Sequence, residues 1–198
     1  MQEIPLVVSE KRLTVVAHEW LADALFDGAF AVDATVGNGY DTLFLAHRVG
    51  PNGSVLGFDI QKPALAGAHE LLRFTGKAGQ VKLVHECHSR IGGYLDRDID
   101  GAMFNLGYLP RGSQALVTRP ETTISALQSI LTRLKRGGRI TVLAYRGHQG
   151  GPEEYSRLRE FLFSLSMSEY SVDELVGKTD LPESPRLFRI QKKSNREI

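Results

Sequence analysis

Two rhythms alternate along the chain. Short, largely apolar segments bounded by Gly, Pro or Asp occur at 30–33, 55–59, 81–84, 102–105 and 140–145, and such runs read as strands covered on both faces. Between them, apolar residues recur at helical spacing. An amphipathic segment at 14–26 precedes the first strand, and 41–49 carries Leu43, Phe44, Leu45, Ala46 and Val49. The next, 63–75, starts with Pro63, a favourable first-turn residue, and aligns Leu65, Ala68, Leu71 and Leu72. Segment 120–136 places Ile124, Leu127, Ile130, Leu131 and Leu134 on one face, and Gly137-Gly138 is expected to stop it. Segment 152–165 repeats the plan with Tyr155, Leu158, Phe161, Leu162 and Leu165, and strands near 170–176 and 187–192 close the chain.

Strand and helix alternating in this way predict an α/β fold: a mostly parallel, seven-stranded, doubly wound sheet with helices on both faces. The loop between the last two strands is too short for a crossover helix, so they should form a C-terminal antiparallel hairpin. With no internal repeat, low-complexity tract or linker, 1–198 is expected to be a single domain. Ligands of such sheets lie at the carboxyl ends of the strands. The residues that end strands are therefore the ones to read for chemistry.

Composition narrows the field. In 198 residues, 42% hydrophobic and 24% charged, a core can form without a metal or disulfide staple. No apolar run approaches the ~20 residues of a membrane span, and residues 1–10 lack the pattern of a signal peptide. Cys87 is the single cysteine, which excludes an intramolecular disulfide and a Cys-based zinc site and makes the cytoplasm the expected location. A net charge of +1 argues against a chain coated in basic residues. The halves differ, however. Residues 1–100 carry nine basic and thirteen acidic residues (−4), and 101–198 carry fifteen and ten (+5), so any polyanion that binds is expected on the second half.

The first strand runs into Asp33-Ala34-Thr35-Val36-Gly37-Asn38-Gly39-Tyr40-Asp41-Thr42. Gly37 and Gly39 allow close approach of the backbone to a ligand. Thr42 stands where a dinucleotide fingerprint wants a third Gly, which speaks against a nicotinamide dehydrogenase, and the absence of Gly-Lys-Ser/Thr excludes a P-loop. Asp33 is expected to face an incoming cation, and Asp59, ending the second strand, to accept hydrogen bonds from a ribose. An acid on each side of the turn fits a ligand with a ribose and a positive end but no phosphates, such as S-adenosylmethionine. The plain alternative is a tight turn with Asp33 and Thr35 capping the helix.

The fourth strand ends Asn105-Leu106-Gly107-Tyr108-Leu109-Pro110. An Asn carbonyl and the loop carbonyls after it could hold an amine with its lone pair aimed at a methyl group, and Tyr108 offers a face for a base to stack on. The segment is similar to the Asn/Asp-Pro-Pro-Tyr/Phe of amine methyltransferases with both prolines replaced. The alternative is a turn in which Asn105 bonds its own backbone. Two histidines are candidate proton acceptors: His148, in the Gly-rich loop after the fifth strand, and His18 on the first helix. The plain role of His148 is to cap the helix near Pro152. No metal is expected from His85, Cys87 and His88, because 85 and 87 share a strand face that 88 does not. For RNA, the candidate cations are Arg111, Arg119, Arg146, Arg186 and Arg189, with Arg111 and Arg146 nearest the strand ends. Segment 181–185 either walls a pocket or turns the chain.

Taken with Gly57-Phe58-Asp59-Ile60-Gln61 and Tyr145-Arg146-Gly147-His148, these motifs resemble the small class I methyltransferases once labelled rRNA methylases, the tRNA 5-(aminomethyl)-2-thiouridine methyltransferases of the MnmM type. The resemblance covers roughly 15–192. It implies a Rossmann-like fold, S-adenosylmethionine as cofactor, and methylation of the aminomethyl nitrogen on a wobble uridine in a tRNA anticodon stem-loop. It carries cofactor binding onto Asp33, Thr35, Gly37, Asn38, Gly39, Asp41 and Thr42. Asp59 and Gln61 match the ribose and adenine side, and His88-Ser89 the adenine fence. Asn105 to Pro110 match the reaction centre, where Gly107, Tyr108, Leu109 and Pro110, joined by Arg111 and Arg146, would meet the RNA. The expected catalytic set is Asn105, Tyr108 and His148. Tyr40 stands where relatives often have His. A homodimer is a further expectation. The alternatives are an rRNA or small-molecule amine methyltransferase, or a non-catalytic cofactor- or RNA-binding module.

Overall fold

Every apolar run read as a strand forms one, and the computed structural model describes residues 7–107 and 117–194. In chain order the elements are β1 (Val7–Ser9), α1 (Leu13–Ala22), β2 (Phe30–Asp33), α2 (Tyr40–Arg48), β3 (Ser54–Phe58), α3 (Lys62–Phe74), β4 (Val81–Val84), β5 (Ile99–Leu106), α4 (Pro120–Arg133), β6 (Leu134–Ala144), α5 (Gly151–Phe163), β7 (Tyr170–Gly177) and β8 (Arg186–Lys192). They build one sheet in the order β1-β7-β8-β6-β5-β2-β3-β4. All pairings are parallel except those of β8, which runs antiparallel to β6 and β7.

The sheet has eight strands, not seven. The extra one, β1, adds Val7, Val8 and Ser9 in parallel to Leu175, Val176 and Gly177. Three residues are too few to show a period, and Val8 is exposed, so burial leaves no mark on the sequence there. A second difference lies at the end of α4, which stops at Arg133 rather than at Gly137-Gly138. Leu134 is already extended and pairs with Ile99. Lys135 bonds both oxygens of buried Asp100 at 2.8 and 2.9 Å, while Asp100 also accepts the Phe30 N–H at 2.9 Å. Leaving that carboxylate unpaired would cost more than the last helical turn contributes, and Gly137, at φ +79°, turns the chain back into the ladder.

Alternate residues of each strand supply opposite faces. Ala31, Met103 and Leu143 face one layer, where they meet Leu21 of α1, Leu45 of α2 and Leu72 of α3. Val32, Phe104 and Val142 face the other, against Ile91, Leu127 and Ile130, and Leu158 and Leu162 of α5. From β2 the chain winds through α2 to β3 on one side, and from β5 through α4 to β6 on the other. The crevice of a doubly wound sheet opens at this reversal, between the carboxyl ends of β2 and β5. Among the described residues, no helix is long and apolar enough to cross a membrane.

Candidate active site

A cleft of about 960 Å3 opens at that reversal and is reached by the ends of β2, β3, β5 and β6. Beneath it lies Asp33, fully buried. One carboxylate oxygen accepts the Thr35 N–H at 3.0 Å and the other the Thr42 hydroxyl at 2.5 Å. Burial, then the charge of Asp41, pushes its pKa up to about 7 against the opposing pull of those two hydrogen bonds. Asp33 and Thr42 therefore brace the turn from below and do not line the cleft, so Asp33 does not face an incoming cation as expected. Gly39 does not line it either. At φ +80°, it lies so close to α3 that a Cβ would come within 2.7 Å of the Ala68 Cβ and 2.9 Å of its Cα. Its absent side chain lets α2 and α3 meet.

Gly37, Asn38 and Thr35 do line the cleft, as do Asp59 and Gln61. Asp59 ties the two loops together by accepting the Gly37 N–H and the Gln61 N–H, each at 2.8 Å. Each carboxylate oxygen keeps a second lone pair for a ligand hydroxyl.

Asn105 reaches across the mouth of the cleft. Its backbone N–H donates to the Thr35 hydroxyl at 2.7 Å, and its side-chain amide nitrogen donates to Asp41 at 3.3 Å. The other oxygen of Asp41 meets Nε2 of His18 at 2.7 Å. His18 stacks on Phe44 with ring centroids 4.0 Å apart and planes within 2°. The side chains of His18 and Asp41 are 29% and 15% exposed, so both still reach the cleft. Tyr145, just beyond β6, forms another wall, and burial followed by the charge of Asp41 pushes its phenol up, keeping it protonated.

Behind the cleft lies a buried polar string that the sequence reading missed. Glu154 of α5 accepts the hydroxyls of Thr118 at 2.7 Å and Thr123 at 3.0 Å, and Thr123 lies 3.5 Å from Nε2 of His88. Thr118 in turn accepts the Gly107 N–H at 3.0 Å and donates its own N–H to the Gly107 carbonyl. Burial raises the Glu154 pKa and lowers that of His88 to about 4, which keeps the imidazole neutral at pH 7. The signal for Glu154 was its helical spacing: it lies four residues before Leu158 and eight before Leu162, on the apolar stripe.

His148 lines the cleft, and its Nδ1 lies 3.0 Å from the Gln149 carbonyl. Its backbone carbonyl also accepts the Gly151 N–H at the start of α5, so the capping role is met by backbone. Arg146 turns away from the cleft. It bonds the carbonyls of Ser184 and Leu181 at 2.9 and 2.6 Å and covers the Tyr155 ring. Segment 181–185 is thus clamped to the rim and contributes Glu183 to the cleft. Arg186 pairs with Asp180, and Arg189 with Asp173. Ser89 sits in a separate small depression with Arg90 and Ser129. His85 bonds the Ile60 carbonyl at 3.0 Å. Tyr108, Leu109, Pro110 and Arg111 lie outside the described residues. Tyr40 is exposed at the mouth.

Among the described lining residues, Asp41, Asp59, Glu86 and Glu183 face a single guanidinium, Arg119. Such a lining favours a cationic ligand and disfavours a phosphate-bearing one.

Known proteins are similar to this chain in sequence and fold. Residues 55–191 match the family described as "Putative rRNA methylase". A chloroplastic tRNA (mnm(5)s(2)U34)-methyltransferase of Arabidopsis thaliana is 38% identical over 170 residues, which cover 81% of this chain and 62% of that protein. The chain thus spans less than two thirds of that relative. A crystal structure from Clostridium thermocellum, carrying the same description as the family, superposes with a TM-score of 0.90 at 38% identity and covers 93% of this chain and 99% of its own. A Streptococcus mutans protein described as a methyltransferase, crystallised in complex with SAH, does so with a TM-score of 0.84 at 35% identity over 92% and 98%.

Proposed function

This chain belongs to the family of methyltransferases described as rRNA methylases, and on that premise we propose that it methylates the aminomethyl nitrogen of 5-aminomethyl-(2-thio)uridine at the wobble position of tRNA. The cofactor is S-adenosylmethionine. The observation that carries the reading is the placement of one amide. Asn105 stands at the carboxyl end of β5, in the same acid-lined cleft as Asp59.

The residues present suit that cofactor. Its ammonium and sulfonium match the acidic lining, and no phosphate has to be held. Asp59 is the ribose partner, Gln61 and Ile60 flank the adenine side, and neutral His88 lies beside it. Gly37 and Asn38 give close backbone approach. When bound, S-adenosylmethionine supplies a methyl group: the amine lone pair forms the new N–C bond, and the electrons of the broken C–S bond stay on sulfur.

The chain's own residues do the rest. A primary amine attacks only when it is uncharged, so the site has to select and aim the neutral form. The Asn105 carbonyl accepts one amine N–H and leaves the lone pair to point along the line of attack. His148, which lines the cleft and has its Nδ1 oriented by the Gln149 carbonyl at 3.0 Å, is the proton acceptor in this reading. Arg119 is the cation that meets RNA at the mouth. The anticodon stem-loop is the part of tRNA that carries this uridine in an accessible loop. The enzyme works in the cytoplasm and as a homodimer in this reading.

The name of the Arabidopsis relative favours the wobble uridine, and the family description keeps rRNA as a second reading. Nucleoside analysis of a strain lacking the protein separates them. The expected result is accumulation of the unmethylated aminomethyl nucleoside in tRNA, restored by the wild-type gene and not by Asn105→Ala. Unchanged tRNA with a methyl group missing from rRNA would support the second reading and overturn the first.

A further inference from the structure

An amide has two edges that look alike in size and differ in chemistry. Holding an amine requires the carbonyl edge of Asn105, and something must keep the NH2 edge from taking its place. The residue in contact with that amide is Asp41. A carboxylate offers acceptors only, so it fixes the NH2 edge toward α2. The reverse orientation would set carbonyl oxygen against carboxylate oxygen, two acceptors with no proton between them.

Asp41 is itself held. An acidic residue in the first turn of a helix ordinarily serves the helix N-terminus. Here both oxygens go to side chains of other elements, one to Asn105 of β5 and one to Nε2 of His18 of α1. Phe44, one helical turn beyond Asp41, stacks flat on the His18 ring and sets the plane in which Nε2 meets the carboxylate. Three elements from separate parts of the chain are thus joined by a string of side chains ending on the reaction-centre amide. Of the two α1 residues that line the cleft, Thr14 and His18, the string holds the second in place.

We infer that His18 and Asp41 are positioning residues that orient the Asn105 amide for the methyl acceptor, rather than residues that hold the cofactor. This rests on the amine-methylating reading above. It reassigns Asp41, which the family resemblance places with the cofactor, to the acceptor side of the cleft.

The test separates binding from transfer. Asp41→Asn, His18→Leu and His18→Gln are compared with wild type in two measurements. One is the affinity for S-adenosylmethionine by calorimetry. The other is the single-turnover rate of methyl transfer to tRNA bearing 5-aminomethyl-2-thiouridine, with both substrates saturating. For Asp41→Asn and His18→Leu, the expected result is an affinity within about threefold of wild type and a transfer rate lower by about tenfold or more, the size of effect a misaimed reactant gives. His18→Gln keeps an N–H donor near the position of Nε2 and is expected to recover most of the rate. Should Asp41→Asn fail to fold, the two His18 variants decide alone. Wild-type transfer rates in the variants, a loss confined to cofactor affinity, or a Gln no better than Leu at position 18 would each overturn the inference. A wild-type protein that binds S-adenosylmethionine but leaves this tRNA unmethylated overturns the proposed function itself, and this inference with it.

Discussion

Three aspartates near one turn do three different jobs, and their surroundings decide which. Asp33 is sealed under the turn, Asp59 bridges two loops while remaining open to the cleft, and Asp41 joins α1 to β5. Asp59→Ala removes the acceptor for the Gly37 and Gln61 N–H groups as well as the proposed ribose partner, so calorimetry should show binding of S-adenosylmethionine weakened by about tenfold or more. Asp33 makes a pH prediction. Its pKa is raised from 3.8 to about 7, so between those values the folded state holds a proton that the unfolded state has released. Its contribution to stability is complete below the lower value and is lost as pH rises through the upper one. Neutral buried His88, its pKa lowered from 6.5 to about 4, works in the opposite direction over part of that range, so the Asp33 share is read as a difference: from pH 4 to 8 the urea midpoint of the wild type should fall relative to that of Asp33→Asn. A slope unchanged in the variant would contradict this assignment. At this scale the sequence marked Asp59 and Asn105 by position, because strand ends in such sheets are where ligands meet the chain. It could not separate buried Asp33 from open Asp59, because both end apolar runs in the same way.

Elements were legible wherever burial left a period. The apolar stripe of α4 located that helix, but its end was set by Asp100, a carboxylate on a neighbouring strand that draws Lys135 into the ladder. Such a long-range pairing has no local signature. β1 escaped for the opposite reason: it is short and exposed and carries no pattern. The buried string from Glu154 through Thr118 and Thr123 was half legible, since the stripe position of Glu154 predicts burial while its two threonine partners lie on another segment. Gly39 shows how one position couples two elements. A side chain there would need a left-handed backbone and would collide with the α3 backbone at Ala68. Gly39→Ala should therefore destabilise the fold by about 2–5 kcal/mol, combining the backbone and overpacking costs. A denaturation midpoint equal to wild type would show that α2 and α3 can separate without cost.

Across the whole molecule, the charge split reads differently once the fold is known. The acidic first half does supply the cleft, through Asp41, Asp59 and Glu86. The basic second half spends much of its charge internally: Arg146 clamps a loop, and Arg159, Arg186 and Arg189 pair with Glu174, Asp180 and Asp173. Among the described residues, Arg119 is the lining cation. Arg119→Ala should raise the KM for tRNA severalfold at low salt, less at high salt, and leave cofactor affinity unchanged. Equal losses for cofactor and tRNA would place Arg119 in the cofactor site instead. The central claim is that one cleft, acid-lined for a cationic methyl donor and ending on the Asn105 amide, methylates an amine on tRNA. The most direct measurement incubates the purified protein with methyl-labelled S-adenosylmethionine and with bulk tRNA and rRNA from a strain lacking it, then identifies the labelled nucleoside. Label is expected on the aminomethyl nitrogen of the wobble uridine, abolished by Asn105→Ala. Label in rRNA alone, or in no nucleic acid while the cofactor still binds, would contradict that claim.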